Sequence, residues 1–116
     1  MSSVTLLAAC RVGNLAAARR CIRRGDDVAQ CDEEGATPLL HASKAGDIAI
    51  VKLLLKSGAA ISQSTYDGTS ALIAACAHGH VACARLMLDR GANVAQTNHD
   101  GVSALIVACQ NQRTYR

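Results

Sequence analysis

The sequence predicts an all-α solenoid of stacked helix-turn-helix units with projecting β-hairpin loops, and three observations support this prediction. Three series of glycines share a spacing of 33 residues: Gly13, Gly46 and Gly79; Gly25, Gly58 and Gly91; Gly35, Gly68 and Gly101. Apolar columns keep the same spacing, as in Leu6, Leu39, Leu72 and Leu105, or Ala9, Ala42, Ala75 and Ala108. Half of the 116 residues are apolar without any Phe or Trp, so thin layers of small side chains are expected rather than one bulky core.

The first helix of each unit is predicted to begin at a hydroxyl residue. Thr37 precedes Pro38, and Ser70 and Ser103 occupy the same position in the next units. The hydroxyl can accept a hydrogen bond from a free backbone N–H, and proline at the first helical position has no N–H to leave unpaired. After about two turns the helix is predicted to end at Gly46 or its equivalents, because glycine adopts the left-handed conformation at little cost.

The second helix is predicted to follow directly, beginning at Asn14, Asp47 or His80. Its apolar residues recur at spacings of three and four, as in Ile48, Val51, Leu54 and Leu55, which is typical of one buried helix face. It is predicted to end near a glycine of the second series. A short extended segment is expected over 59–63 and 92–96, followed by a tight Asp-Gly turn at a projecting tip.

The repeated unit resembles the ankyrin repeat. Residues 32–42 closely match the family pattern Asp-x-x-Gly-x-Thr-Pro-Leu-His-x-Ala, and residues 46–59 and 79–92 are similar to Gly-His-x-x-x-Val-x-Leu-Leu-Leu-x-x-Gly-Ala. The resemblance covers about residues 4–111 and implies a single ankyrin repeat domain over 1–116. The expected units are a cap-like N-terminal unit at 4–31, units at 32–64 and 65–97, an incomplete fourth unit at 98–111, and a tail at 112–116.

The chain departs from the family pattern at two places. The histidine that braces neighbouring loops in the family is replaced by Leu40, Ile73 and Ile106, so support between units at this position is expected to rest on packing. Gln112 stands where the spacing predicts another glycine. We expect the chain to be a fragment of a longer array, with a half unit that serves as the C-terminal cap as the alternative.

Composition and motifs exclude several functions. The net charge of +3 is low for a nucleic-acid-binding domain, and no apolar stretch approaches the roughly 20 residues of a membrane span. We therefore expect no nucleic-acid partner, no membrane, and a location in the cytoplasm, with the nucleus as the alternative. No phosphate-binding loop, nucleophile elbow or metalloprotease motif occurs, so neither catalysis nor a cofactor is predicted.

Two clusters of side chains have competing interpretations. The six cysteines are interpreted as reduced, buried packing residues, because Cys10, Cys76 and Cys109 share one repeated column, and no metal site is expected near His78-Gly79-His80. The arginines of the first unit are interpreted as a solvated end face. Binding of phosphate, RNA or an acidic partner is the alternative for these arginines: Arg19, Arg20, Arg23 and Arg24.

The resemblance implies a protein-interaction scaffold or adaptor that binds a partner protein in a concave groove and along the tips. The expected partner-binding residues are Arg11, Glu33, Glu34, Ala36, Lys44, Tyr66, Asp67, Thr69, Ala77, His78, His99, Asp100, Val102, Gln110 and Asn111. Tyr66 is the expected anchor, and the acidic tips are expected to favour basic partner segments. The alternatives are a regulatory or substrate-recruiting segment of a larger enzyme, such as a kinase or ubiquitin-ligase component, and a structural element that self-associates through its open C-terminal face rather than remaining a monomer.

Overall fold

A computed structural model describes residues 5–103 of the chain. Within this range lie six α-helices: α1 (Leu6–Val12), α2 (Leu15–Arg23), α3 (Pro38–Ala45), α4 (Ile48–Lys56), α5 (Ala71–Ala77) and α6 (Val81–Asp89). The predicted all-α repeat architecture is confirmed. None of these helices is long and apolar enough to cross a membrane. The helix predicted after Ser103, with Gln110 and Asn111, lies outside the described residues.

Side chains at the predicted positions cap most of the helices. The hydroxyls of Thr5, Thr37 and Ser70 each accept a hydrogen bond from the backbone N–H three residues later, at the start of α1, α3 and α5. Asn14 and Asp47 do the same for α2 and α4. These bonds satisfy N–H groups that have no partner within the helix, which is why the helices begin where the pattern predicts.

The helices form two layers with the core between them. The first helices of the units, α1, α3 and α5, pack closely side by side, whereas α2, α4 and α6 contact one another less closely in the second layer. Leu6, Leu39 and Leu72 lie fully buried between the layers, one from each unit. The array is elongated, with extents of 49 × 27 × 23 Å, because each unit contacts only its neighbours.

The segments after the second helices differ from the prediction. Residues 61–62 and 94–95 form turns rather than extended chain. At the second of these, the Asn93 amide oxygen accepts the N–H of Ala95 at 2.9 Å, which closes the chain into a turn. Pairing of extended chain in the described range is limited to single bridges, Ser64 with Ser70 and Thr97 with Ser103. The projecting parts, residues 32–37, 65–70 and 98–103, are called the tip loops below.

Candidate functional site: the concave groove

The expected binding groove comprises the exposed sides of α1, α3 and α5 and the three tip loops. Its floor repeats with the array, since Arg11, Lys44 and Ala77 occupy equivalent positions 33 residues apart and all three are exposed. A shallow depression in this floor is lined by Arg11, His41, Lys44, Ala45 and His78. The floor therefore presents two permanent positive charges and the exposed ring of His78 to any molecule that enters the groove, whereas the His41 side chain is only 12% exposed.

Asp32 connects the first tip loop to the floor of the groove. One carboxylate oxygen accepts the backbone N–H groups of Ala36 and Glu34, both at 2.9 Å. The other oxygen lies 3.0 Å from the His41 Nε2 and 3.8 Å from an Arg11 guanidinium nitrogen. These hydrogen bonds, the one from Ala36 first, hold the pKa of Asp32 below its usual value. An ionised carboxylate can only accept hydrogen bonds, so His41 donates from Nε2.

Backbone hydrogen bonds join each tip loop to the next. The N–H of Tyr66 donates to the carbonyl of Glu34 at 3.1 Å, and the N–H of His99 donates to the carbonyl of Asp67 at 2.9 Å. Leu40 packs with Ala36 of its own unit and with Ala74 of the next unit, as expected. Packing at this position is thus accompanied by backbone hydrogen bonds that connect the tip loops.

A glutamine column adds a second connection between units that sequence reasoning missed. The side-chain amide of Gln63 donates to the carbonyl of Ala29 at 3.4 Å, and that of Gln96 donates to the carbonyl of Ser62 at 3.1 Å. Gln30, Gln63 and Gln96 are spaced by 33 residues, so the repeat itself carried the signal. These bonds fix the spacing of the loops below the tips.

Tyr66 is exposed yet ordered by its neighbour. Its side chain is 68% exposed, and a Cβ built on Gly35 would lie 3.1 Å from the ring carbon Cδ1. The ring therefore rests on the backbone of the preceding tip loop, at a glycine with φ of +84°. His99 covers Gly68 in the same manner. Aromatic side chains held in position lose little conformational entropy on binding, which suits an interface.

Comparison with known families identifies the architecture. Two overlapping segments, residues 5–65 and 58–115, match the family described as Ankyrin repeats (3 copies). This chain belongs to the ankyrin repeat family. Ankyrin repeats are generally protein–protein interaction modules, and the fold is a non-catalytic one. A comparison with curated protein sequences found no significant match.

The ankyrin structure places most of the expected partner-binding residues on its surface. Exposed in the described range are Arg11, Glu33, Glu34, Lys44, Tyr66, Asp67, Ala77, His78, His99 and Asp100, whereas Thr69 and Val102 are half-buried. Ala36 is a correction, because it is only 3% exposed and packs with Leu40 and Ala74 beneath the tip loops. A small residue is needed there for neighbouring loops to approach, so Ala36 is unavailable to a partner.

The tip-loop carboxylate of Asp67 is held by two threonines. It accepts hydrogen bonds from the hydroxyl of Thr65 and from the backbone N–H of Thr69. These bonds, the one from Thr65 first, lower the pKa of Asp67. The negative charge at this tip is therefore fixed in position and persists at neutral pH.

The two histidines between α5 and α6, His78 and His80, each lie beside a backbone carbonyl group. The His80 Nε2 lies 3.0 Å from the carbonyl oxygen of Lys44, in the preceding unit. The His78 Nδ1 lies 3.0 Å from the carbonyl oxygen of Ala74, and the two rings are stacked. Within residues 5–103, no three His, Cys, Asp or Glu side chains are arranged to hold a metal ion.

The cysteines of the described range form no disulfide bonds with one another and differ in exposure. Cys10, Cys21 and Cys83 are buried and Cys76 is half-buried, but Cys31 lies exposed in a loop, which corrects its expected burial. Burial raises the pKa of Cys10 to about 12 and also raises the pKa of Cys83. A protonated, buried thiol is a poor nucleophile. These two cysteines therefore suit packing rather than catalysis.

Proposed function

We propose that this chain is a scaffold or adaptor that binds a partner protein in the concave groove and along the tip loops. The observation that carries the proposal is the exposed, ordered ring of Tyr66 on the backbone of Gly35. The core does not use this side chain, and tyrosine is enriched among residues that dominate binding energies. Glu34, Asp67 and His99, which are also expected site residues, are exposed on the tip loops beside it.

The groove carries exposed side chains of both charge signs, which supports a partner protein that also carries both. Exposed carboxylates lie on the tip loops, at Glu33, Glu34, Asp67 and Asp100. Arg11 and Lys44 lie on the floor below them. Complementary charges fix the orientation of a partner more than they raise its affinity. We therefore propose that basic partner residues contact the tips and that acidic ones reach the floor.

The absence of disulfide bonds among the described cysteines supports a reducing compartment. No disulfide joins any of the five cysteines in the described range, and one of them, Cys31, is exposed. Unpaired cysteines are common in proteins of the cytosol and nucleus, where thiols are kept reduced. We propose a cytoplasmic location and a monomeric state for this chain, to be checked by cell fractionation and by light scattering.

The test compares capture of partners by the wild-type chain and by a groove variant, Tyr66→Ala/His78→Ala/His99→Ala. A control variant, Asp89→Ala/Arg90→Ala/Val94→Ala, changes the same number of exposed residues away from the groove. Proteins captured by the wild type and the control but lost by the groove variant are then purified, and their dissociation constants are measured. We expect the groove variant to bind at least about tenfold more weakly. Equal affinity of a folded groove variant would contradict the proposal.

A further inference from the structure

The face opposite the groove carries a row of basic side chains. Arg19, Lys52 and Arg85 lie on α2, α4 and α6 at equivalent positions 33 residues apart, and all three are exposed. They are called the back row below. The groove has a different set of residues on the other layer of helices, so the back row is a separate surface.

Within residues 5–103, no carboxylate forms an ion pair with a cation of the back row. Over residues 5–103, the ion pairs join Arg11 and His41 to Asp32, and Arg24 to Asp26. Most carboxylates of this range lie instead in the loops after the second helices. Three like charges in one line repel one another and contribute no ion pair to the fold. Their charge is therefore available to a ligand.

An apolar notch lies beside two of these cations. It is formed between α4 and α6 by Ile48, Val81, Ala82 and Leu86, with Lys52, Arg85 and Asp89 around it. Val81 is 59% exposed. The notch stays open because the second helices contact one another less closely than the first helices do. A ligand on this face thus meets cations and an apolar recess together.

We propose that the back row docks an acidic, amphipathic α-helix of a partner protein, lying across α2, α4 and α6. Neighbouring packed helices are separated by about 8–10 Å, and carboxylates about seven residues apart on a helix are separated by about 10 Å. Such a helix places one carboxylate near each cation of the row. Its apolar side chains between them reach the notch, as in other helix-in-groove contacts.

The observations favour a protein helix over a nucleic acid or a membrane. Along one strand of a DNA duplex, phosphates advance by about 3.4 Å of helix axis per nucleotide, a finer spacing than that of cations on neighbouring helices about 8–10 Å apart. The described second helices carry no Phe, Tyr or Trp on which a base could stack. Ile48 and Leu86 of the notch are half-buried between α4 and α6, where a protruding side chain reaches them more readily than a flat bilayer surface does.

The test uses a fluorescent, helix-stabilised peptide with three glutamates about seven residues apart and leucines between them. An isomeric peptide of the same composition has its glutamates clustered. Binding is measured by anisotropy to the wild type, to Arg19→Gln/Lys52→Gln/Arg85→Gln, and to Arg20→Gln/Lys56→Gln/Arg90→Gln, which removes the same charge from exposed positions outside the back row and the groove. Circular dichroism checks that each variant is folded.

We expect the wild type to bind the spaced peptide about tenfold more tightly than the isomer, since three exposed ion pairs are gained together. The back-row variant is expected to lose about this factor, and the other variant to stay within about twofold. Equal binding of both peptides, or equal losses in both variants, would overturn the proposal. So would tighter, back-row-dependent binding of phosphatidylserine vesicles or of single-stranded DNA. None of these results bears on the groove, which the Tyr66 variant tests.

Discussion

His80 contacts the preceding unit in two ways at once. Its Nε2 lies 3.0 Å from the Lys44 carbonyl, and its ring occupies the space beside Gly46, where an added Cβ would lie 2.5 Å from Nδ1. Gly46 also has a φ of +76°, which other residues adopt only with strain. Glycine is therefore required at this position both for its backbone conformation and for the approach of the imidazole.

We predict that Gly46→Ala lowers the free energy of unfolding by about 1–3 kcal/mol, because strain and a steric clash are introduced together. Urea denaturation measures this loss. Adding His80→Ala to Gly46→Ala removes the clash but keeps the strain. The losses of unfolding free energy in the two single variants are therefore expected to sum to more than the loss in the double variant. Additive losses would show that the ring and the glycine do not interact.

Asp32 gives the stability of the fold a dependence on pH. Hydrogen bonds, first from the backbone of Ala36, hold its folded pKa below the ordinary 3.8. The ionised carboxylate thus stabilises the fold at neutral pH, and this contribution is lost as the pH falls below about 4 and through the lowered folded pKa. We predict that Asp32→Asn flattens the curve of unfolding free energy against pH on the acid side. Glu33→Gln, at the exposed neighbouring position, is the control, and equal curves for the wild type and Asp32→Asn would contradict the prediction.

These contacts show how far the sequence determines single positions. The spacing identified Gly46 as a helix end and Asp47 as a helix start, because capping depends on residues three or four apart. It did not reveal that the ring of His80 turns away from its own helix to the carbonyl of Lys44. That choice depends on a residue 36 positions away, which local patterns do not describe.

The second helix of the middle unit, α4, is stabilised chiefly by burial. Leu54 is 0% exposed and belongs to the main core cluster between the two layers. We predict that Leu54→Ala lowers the free energy of unfolding by about 2–5 kcal/mol, because a cavity remains in a core that collapses only in part. Leu88→Ala is the matched control, since Leu88 is 41% exposed on α6. Losses of equal size would contradict the assignment of Leu54 to the core.

At the level of helices and loops, the sequence was most informative where periodicity decides the structure. Helix positions follow from apolar spacing and caps, and both are local. The segments after the second helices were predicted as extended chain, but they form turns, with Gln63 and Gln96 bonded to the preceding unit. Similarly, Ala36 was assigned to the groove because position along a tip loop does not reveal which side chains the next loop covers.

The whole molecule is a one-dimensional array, and this limits how disturbances spread. The contacts between units join α1 with α3, α3 with α5, α2 with α4, and α4 with α6, so each unit is stabilised by the units beside it. The stability of such an array is close to a sum of unit and interface terms. A destabilising substitution in a terminal unit is therefore expected to unfold that end first. A destabilising substitution in the middle unit is expected to weaken its interfaces with both neighbouring units.

Buried thiols report this behaviour, because Cys10 lies in the first unit and Cys83 in the third. Burial raises the pKa of both thiols, so alkylation by iodoacetamide requires local opening. We predict that Met87→Ala, at a fully buried position of α6, accelerates labelling of Cys83 more than that of Cys10. Leu54→Ala is expected to accelerate both.

Labelling at each cysteine is measured by mass spectrometry of peptides, and exposed Cys31 serves as an internal control for reagent activity. Its rate is expected to be the same in all variants, because no opening is needed to reach it. A tenfold change in labelling rate corresponds to about 1.4 kcal/mol in the free energy of opening when reclosing is fast. If Met87→Ala accelerates Cys10 and Cys83 by the same factor, the array opens as one cooperative body, and the coupling between units exceeds the stability of any single unit.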